Sequence, residues 1–109
     1  MTIVFSDVKT ILDRIIGDWE VEHGRAPQLS THSDNFGWSN RAQLLNSTAR
    51  GRRLIQPEFV GSADASEANL IRVLTNGLPF VPRMPAGGPF LSDEEILTIK
   101  TWIESGAPE

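Results

Sequence analysis

Not one of the 109 residues is a cysteine. Disulfides, thiolate nucleophiles, zinc-thiolate sites, iron–sulfur clusters and covalently attached haem are therefore chemically closed to this chain. Its stability must come from packing alone. A chain of this length buries roughly two-thirds of the surface it exposes when unfolded, enough for one core and too little for two. Residues 1–109 are thus expected to form a single small domain.

The apolar residues that would build that core follow helical periods. Val8, Ile11, Leu12, Ile15, Ile16 and Trp19 recur at the i, i+3, i+4, i+7, i+8, i+11 positions of one wide helix face. Ser6 is a suitable N-cap for this helix, Asp7 suits its dipole, and Gly24 can close it in the left-handed conformation. Gly17 costs about 1 kcal/mol relative to alanine inside a helix, so it marks a close approach of another element. At the other end of the chain, Ser92-Asp-Glu-Glu95 is a capping box, with Leu91 and Ile96 placed as a hydrophobic staple. Ile96, Ile99, Trp102 and Ile103 form the buried face of that helix, and Gly106 with Pro108 stops it. The acids Asp93, Glu94 and Glu95 are explained by this cap and by the helix dipole. The two terminal helices are expected to pack on each other.

Two shorter helices lie between them. Ser39 caps one of two to three turns through Leu44, Leu45 and Thr48, ending near Gly51. Asp64-Ala-Ser-Glu67 opens another, filled by Ala68, Leu70, Ile71, Val73 and Leu74 and closed by Asn76-Gly77. Long loops join these pieces. Residues 25–38 have neither helical nor strand period and are dense in turn formers, while Leu29, Phe36 and Trp38 suggest a return to the core. Residues 78–90 hold four of the seven prolines, which makes that loop stiff and extended. No strand of convincing alternation appears, so the fold class is all-α.

Charge and hydropathy narrow the functions. With 14 acidic and 10 basic side chains the net charge is −4, which gives no footprint for phosphate backbones, so nucleic acid is not expected. No apolar run approaches the length needed to cross a ~30 Å hydrocarbon layer, and the N-terminus lacks the basic flank and apolar stretch of an export signal. A soluble, cytoplasmic protein is expected. There is no nucleophile, phosphate-binding or paired-carboxylate constellation, so the chain is not expected to be an enzyme.

Residues 58–109 carry a resemblance. Ala65-Ser-Glu-Ala-Asn-Leu-Ile-Arg-Val-Leu74, followed by Arg83-Met-Pro-Ala-Gly-Gly-Pro-Phe-Leu-Ser-Asp-Glu-Glu-Ile and the helix ending at Gly106-Ala-Pro108, resembles the C-terminal half of small bacterial c-type cytochromes. Asp7-Val-Lys-Thr-Ile-Leu-Asp13 is similar to that family's opening. The resemblance implies a cytochrome c-like fold in which Met84 stands where the family has its distal haem ligand. The departure is at the family's CxxCH, whose nearest counterpart is Trp19-Glu-Val-Glu-His23-Gly24, without either cysteine.

Several sites follow as expectations. His23 and Met84 would be the axial pair of a non-covalently held haem, since imidazole and thioether suit iron. The plainer reading makes His23 a polar residue at a helix end and Met84 core filler. His32 reads as a solvated loop histidine, and no metal site is expected. Arg50, Arg52 and Arg53 are the one concentrated basic patch, suited to an anion or an acidic partner surface, or else a solvated face. Without haem its volume must be filled, because a cavity costs about 24 cal/mol per Å³ against a total stability of ~5–15 kcal/mol. Trp19, Phe36, Trp38 and Trp102 are expected to fill it. The favoured expectation is a haem-free cytochrome c-like module with no cofactor that binds another protein, with a redox enzyme and a homodimer both open as partners. An electron carrier with non-covalent haem, and a small-molecule binder using the vacated pocket, are the alternatives.

Overall fold

Helix α1 spans Phe5–His23 and buries Phe5, Val8, Leu12, Ile15 and Trp19; of the face its periodicity dictates, Ile11 and Ile16 are only half-buried, packed against the core, and Phe5 is added in front. The computed structural model describes residues 3–24, 37–49, 52–77, 83–84 and 88–109. The added residue explains why Ser6 is not the N-cap. Phe5 N–H donates to the Pro108 carbonyl at 2.9 Å, and its ring packs on Trp102 with centroids 6.1 Å apart. These contacts with the chain's far end draw the helix start back to Val4, whose N–H is accepted by the Asp7 carboxylate at 3.0 Å. Gly24 closes α1 at φ 69°. Gly17 is exposed, and among the described residues no atom lies within 4 Å of the position its Cβ would take. The close approach expected of it is absent from the described residues.

α2 spans Arg41–Asn46, shorter than its apolar pattern suggests, and its N-cap is Asn40 rather than Ser39. The Asn40 carboxamide accepts the Gln43 N–H at 2.8 Å, while Ser39 N–H goes to the Gln43 side chain. The helix stops at Ser47, which turns extended, and two two-residue strands follow: β1 (Thr48–Ala49) and β2 (Arg52–Arg53), antiparallel, with Thr48 opposite Arg53. Strands this short carry no readable alternation, which is why the sequence hides them.

The chain then makes one 3₁₀ turn at Pro57–Phe59 and another at Ala65–Glu67 before α3, Asn69–Thr75. The expected start at Asp64 is split by Ala68, whose ψ is 139°. Tertiary partners cap α3 instead. Asn69 N–H donates to the Gln56 side chain at 2.9 Å and Leu70 N–H to the Leu54 carbonyl at 2.6 Å. α4 spans Asp93–Glu104 with the reciprocal capping box in place: Glu95 N–H to Ser92 Oγ at 3.2 Å, and Ser92 N–H to Glu95 Oε1 at 3.0 Å. Leu91 and Ile96 are both buried beside it.

α4 packs against α1, α3 and the Ala65–Glu67 turn. Contacts pair α1 and the C-terminal segment head to tail: Phe5 with Trp102, Arg14 with Glu95, and His23 with Gly88. Val8, Leu44, Ile55, Ile99, Trp102 and Ile103 are essentially without exposed surface at the centre. Burial contributes about 1.5–3 kcal/mol for each large apolar side chain of this kind. Ala65 and Ala68 are fully buried, small enough for the turn to approach α3 and α4 closely. Among the described residues the result is a mostly helical small domain with almost no strand.

Candidate functional site

The last turn of α1 places Trp19 and His23 four residues apart, hence on one face. Their rings stack, with centroids 4.2 Å apart and planes 27° apart. His23 Nε2 lies 2.9 Å from the Gly88 carbonyl oxygen. A carbonyl only accepts, so Nε2 carries the proton and donates. His23 thus ties the end of α1 to the turn at Gly88, which is buried, at φ 71°, and precedes a cis peptide bond to Pro89.

Two further anchors hold the neighbouring segment. Arg83 lies over the Phe90 ring at 4.4 Å from its centroid, and its Nε donates to the Leu74 carbonyl at 3.0 Å. Met84 is half-buried, packs against the core, and its N–H donates to the Val73 carbonyl at 2.7 Å. The Val73 and Leu74 carbonyls near the end of α3 are therefore satisfied from this segment.

Haem is the group a cytochrome c-like frame would hold, with His23 and Met84 as its axial pair. The imidazole does not fit that role in this arrangement. Its Nε2 lone pair is replaced by a proton engaged with Gly88, and one ring face is covered by Trp19. Nδ1 is the one ring nitrogen left for a metal. Among the described residues no three His, Asp or Glu side chains gather as metal ligands.

The basic patch is divided by the hairpin. Arg53 turns toward α2, where its Nη2 donates to the Leu45 carbonyl at 2.5 Å and approaches Asn46 Oδ1 at 3.4 Å. A cation at a helix C-terminus is favoured by the exposed carbonyls there. Arg52 stands opposite Ala49 and is exposed. Among the described residues neither Arg52 nor Arg53 has a carboxylate within ion-pair distance. Arg50, His32 and Phe36 lie outside the described residues.

The three tryptophans meet α1 at separate levels. Trp102 is fully buried against Phe5, its Nε1 donating to the Pro108 carbonyl at 2.8 Å. Trp38 is half-buried against the core and donates from Nε1 to Asp13 Oδ1 at 2.9 Å. Trp19 lies fourteen positions after Phe5, about 21 Å along the helix axis at 1.5 Å per residue. The structure does not bring Trp19 and Trp102 together. The Lys9 ammonium, 2.6 Å from Asp13, outweighs the partial burial of that carboxyl and with Trp38 holds it below its usual 3.8.

Two features escaped the sequence. Arg14 bridges Asp18, one turn on at 2.7 Å, and Glu95 on α4. The first pairing is legible as an i, i+4 spacing and the second is not. Burial pushes the Glu95 carboxyl up, but the Ser92 N–H, the Arg14 guanidinium and the Ser92 hydroxyl together hold it below its usual 4.5. The second is Ser47, whose fully buried hydroxyl accepts Gly37 N–H at 3.0 Å and lies 2.5 Å from Gly37 O and 2.8 Å from Gln43 O. Compared with known proteins, the chain matches no family model, no curated protein and no solved structure.

Proposed function

We propose that this chain is a haem-free, cytochrome c-like binding module that serves as an accessory to another protein, a redox enzyme being the class the frame suggests. The observation that carries the reading is His23. The residue nearest the family's haem-binding histidine spends its Nε2 proton on Gly88 and its ring face on Trp19. A side chain so committed works as a clasp between α1 and the turn before α4, not as an iron ligand.

The test is haem addition to the purified chain, followed by visible absorption. The expected result is no stoichiometric Soret band, with Met84→Ala and His23→Ala behaving like the parent. A stoichiometric band that disappears in either variant would replace this reading with an electron carrier holding non-covalent haem.

A further inference from the structure

Asn76 and Gly77 end α3, and both of their N–H groups donate to the Arg72 carbonyl, at 2.9 and 2.8 Å. Asn76 is exposed with φ −127° and ψ −6°, and Gly77 is left-handed at φ 83°. Among the described residues no hydrogen bond holds the Asn76 side chain. The two carbonyls that follow Arg72 are held by the Met84 N–H and by Arg83 Nε.

An asparagine followed by glycine carries its own chemistry. The Gly77 nitrogen, unshielded by a side chain, loses its proton and attacks Cγ of Asn76. The new C–N bond closes a five-membered imide and the side-chain nitrogen leaves as ammonia. Water then opens the ring, to aspartate or to isoaspartate, in which the chain runs through the former side-chain carbonyl. Two features of the native turn oppose the first step. The Gly77 proton is held by the Arg72 carbonyl, and ψ of −6° turns the nitrogen away from Cβ, so the bond must rotate and the turn must open.

We propose that Asn76–Gly77 is a deamidation site whose rate is set by opening of the last turn of α3. Helix ends open locally far more often than whole domains unfold, so the site is gated rather than sealed. The product works against reclosure. A carboxylate at position 76 faces the negative end of the helix dipole, and isoaspartate adds a backbone carbon that prevents both N–H groups from returning to Arg72. The Arg83–Met84 segment, which hangs on the next two carbonyls, is loosened with it. Deamidation at this turn does not depend on the proposed binding role.

The experiment incubates the full chain at mildly alkaline pH, native and in urea, and follows the one-dalton gain in the tryptic peptide that carries Asn76 as its sole asparagine, Val73–Arg83 in the parent and Val73–Lys100 where Arg83 is replaced. The native rate is expected at least about tenfold below the urea rate, as opening-limited reactions are. Arg83→Ala, which frees the Leu74 carbonyl, is expected to raise the native rate severalfold and leave the urea rate unchanged. Equal native and urea rates, or a native rate indifferent to Arg83→Ala, would overturn the gating. A mass gain persisting in Asn76→Gln would overturn the site.

Discussion

Replacing Ser47 by alanine removes one oxygen from a place that water does not reach. Ser47 is the fully buried polar side chain among the described residues, and Gly37, whose N–H it accepts at 3.0 Å, is buried as well. The hydroxyl proton goes to Gly37 O or to Gln43 O, so one atom joins the segment at Gly37 to the last turn of α2. Alanine keeps the backbone but orphans the Gly37 N–H, and a buried donor without a partner costs about 1–3 kcal/mol. Closure by movement is obstructed at Gly37 itself, where a Cβ would lie 2.6 Å from the Gln43 side chain, so the two segments are already in close contact. In urea unfolding the midpoint should fall with the slope unchanged, by on the order of 1 M for a slope of ~1–3 kcal/mol/M. The melting temperature should drop by roughly 4–8 °C for each kcal/mol lost. Ser66→Ala, at an exposed position, is the control and should stay within about 0.5 kcal/mol of the parent. If Ser47→Ala also stays within that range, the buried hydroxyl is not what satisfies the Gly37 N–H.

Further outcomes follow from the same geometry. Gly17→Ala should stabilise the chain by about 0.5–1 kcal/mol, since the position is exposed and helical with open space around it; destabilisation in thermal melts would show that something covers it. In a double-mutant cycle, the Arg14–Glu95 coupling should be below about 1 kcal/mol because Arg14 is 47% exposed. Glu95→Ala should cost more than Arg14→Ala, as it also removes half of the capping box. Asp13 and Glu95 are both held below their usual values, so their contribution is present above the unfolded values and lost as pH falls through the folded ones. Stability should therefore decline below about pH 4.5, and Asp13→Asn should flatten that decline. An unchanged acid slope in Asp13→Asn would contradict the Lys9–Asp13–Trp38 arrangement.

Periodicity and most caps were legible where the signal is local, the cap of α2 excepted, where Asn40 rather than the adjacent Ser39 accepts the Gln43 N–H. The α1 face from Val8 to Trp19, the Gly24 close and the Ser92–Glu95 box can be read because each rests on residues within a turn or two of one another. Helix starts failed where the partner is distant. Phe5 enters α1 because Pro108 and Trp102 receive it, and α3 begins at Asn69 because Gln56 and Leu54 supply acceptors that Asp64 would otherwise provide. The candidate site divides the same way. Trp19 and His23 were readable as neighbours on one helical face, but the choice of Gly88 as the partner of His23 was not.

Local pattern is enough to read a cysteine-free, mostly helical domain stabilised by packing, with amphipathic helices at both ends and a resemblance that nominates His23 and Met84. Tertiary structure alone decided what those side chains do, namely that His23 clasps Gly88, Arg53 is spent on the end of α2, and Trp102 and Trp19 lie at opposite ends of α1. The reason is physical. Helix propensity, capping and amphipathic period are set by residues three or four apart, whereas the hydrogen-bond partner of a polar side chain is whatever acceptor packing delivers from elsewhere in the chain.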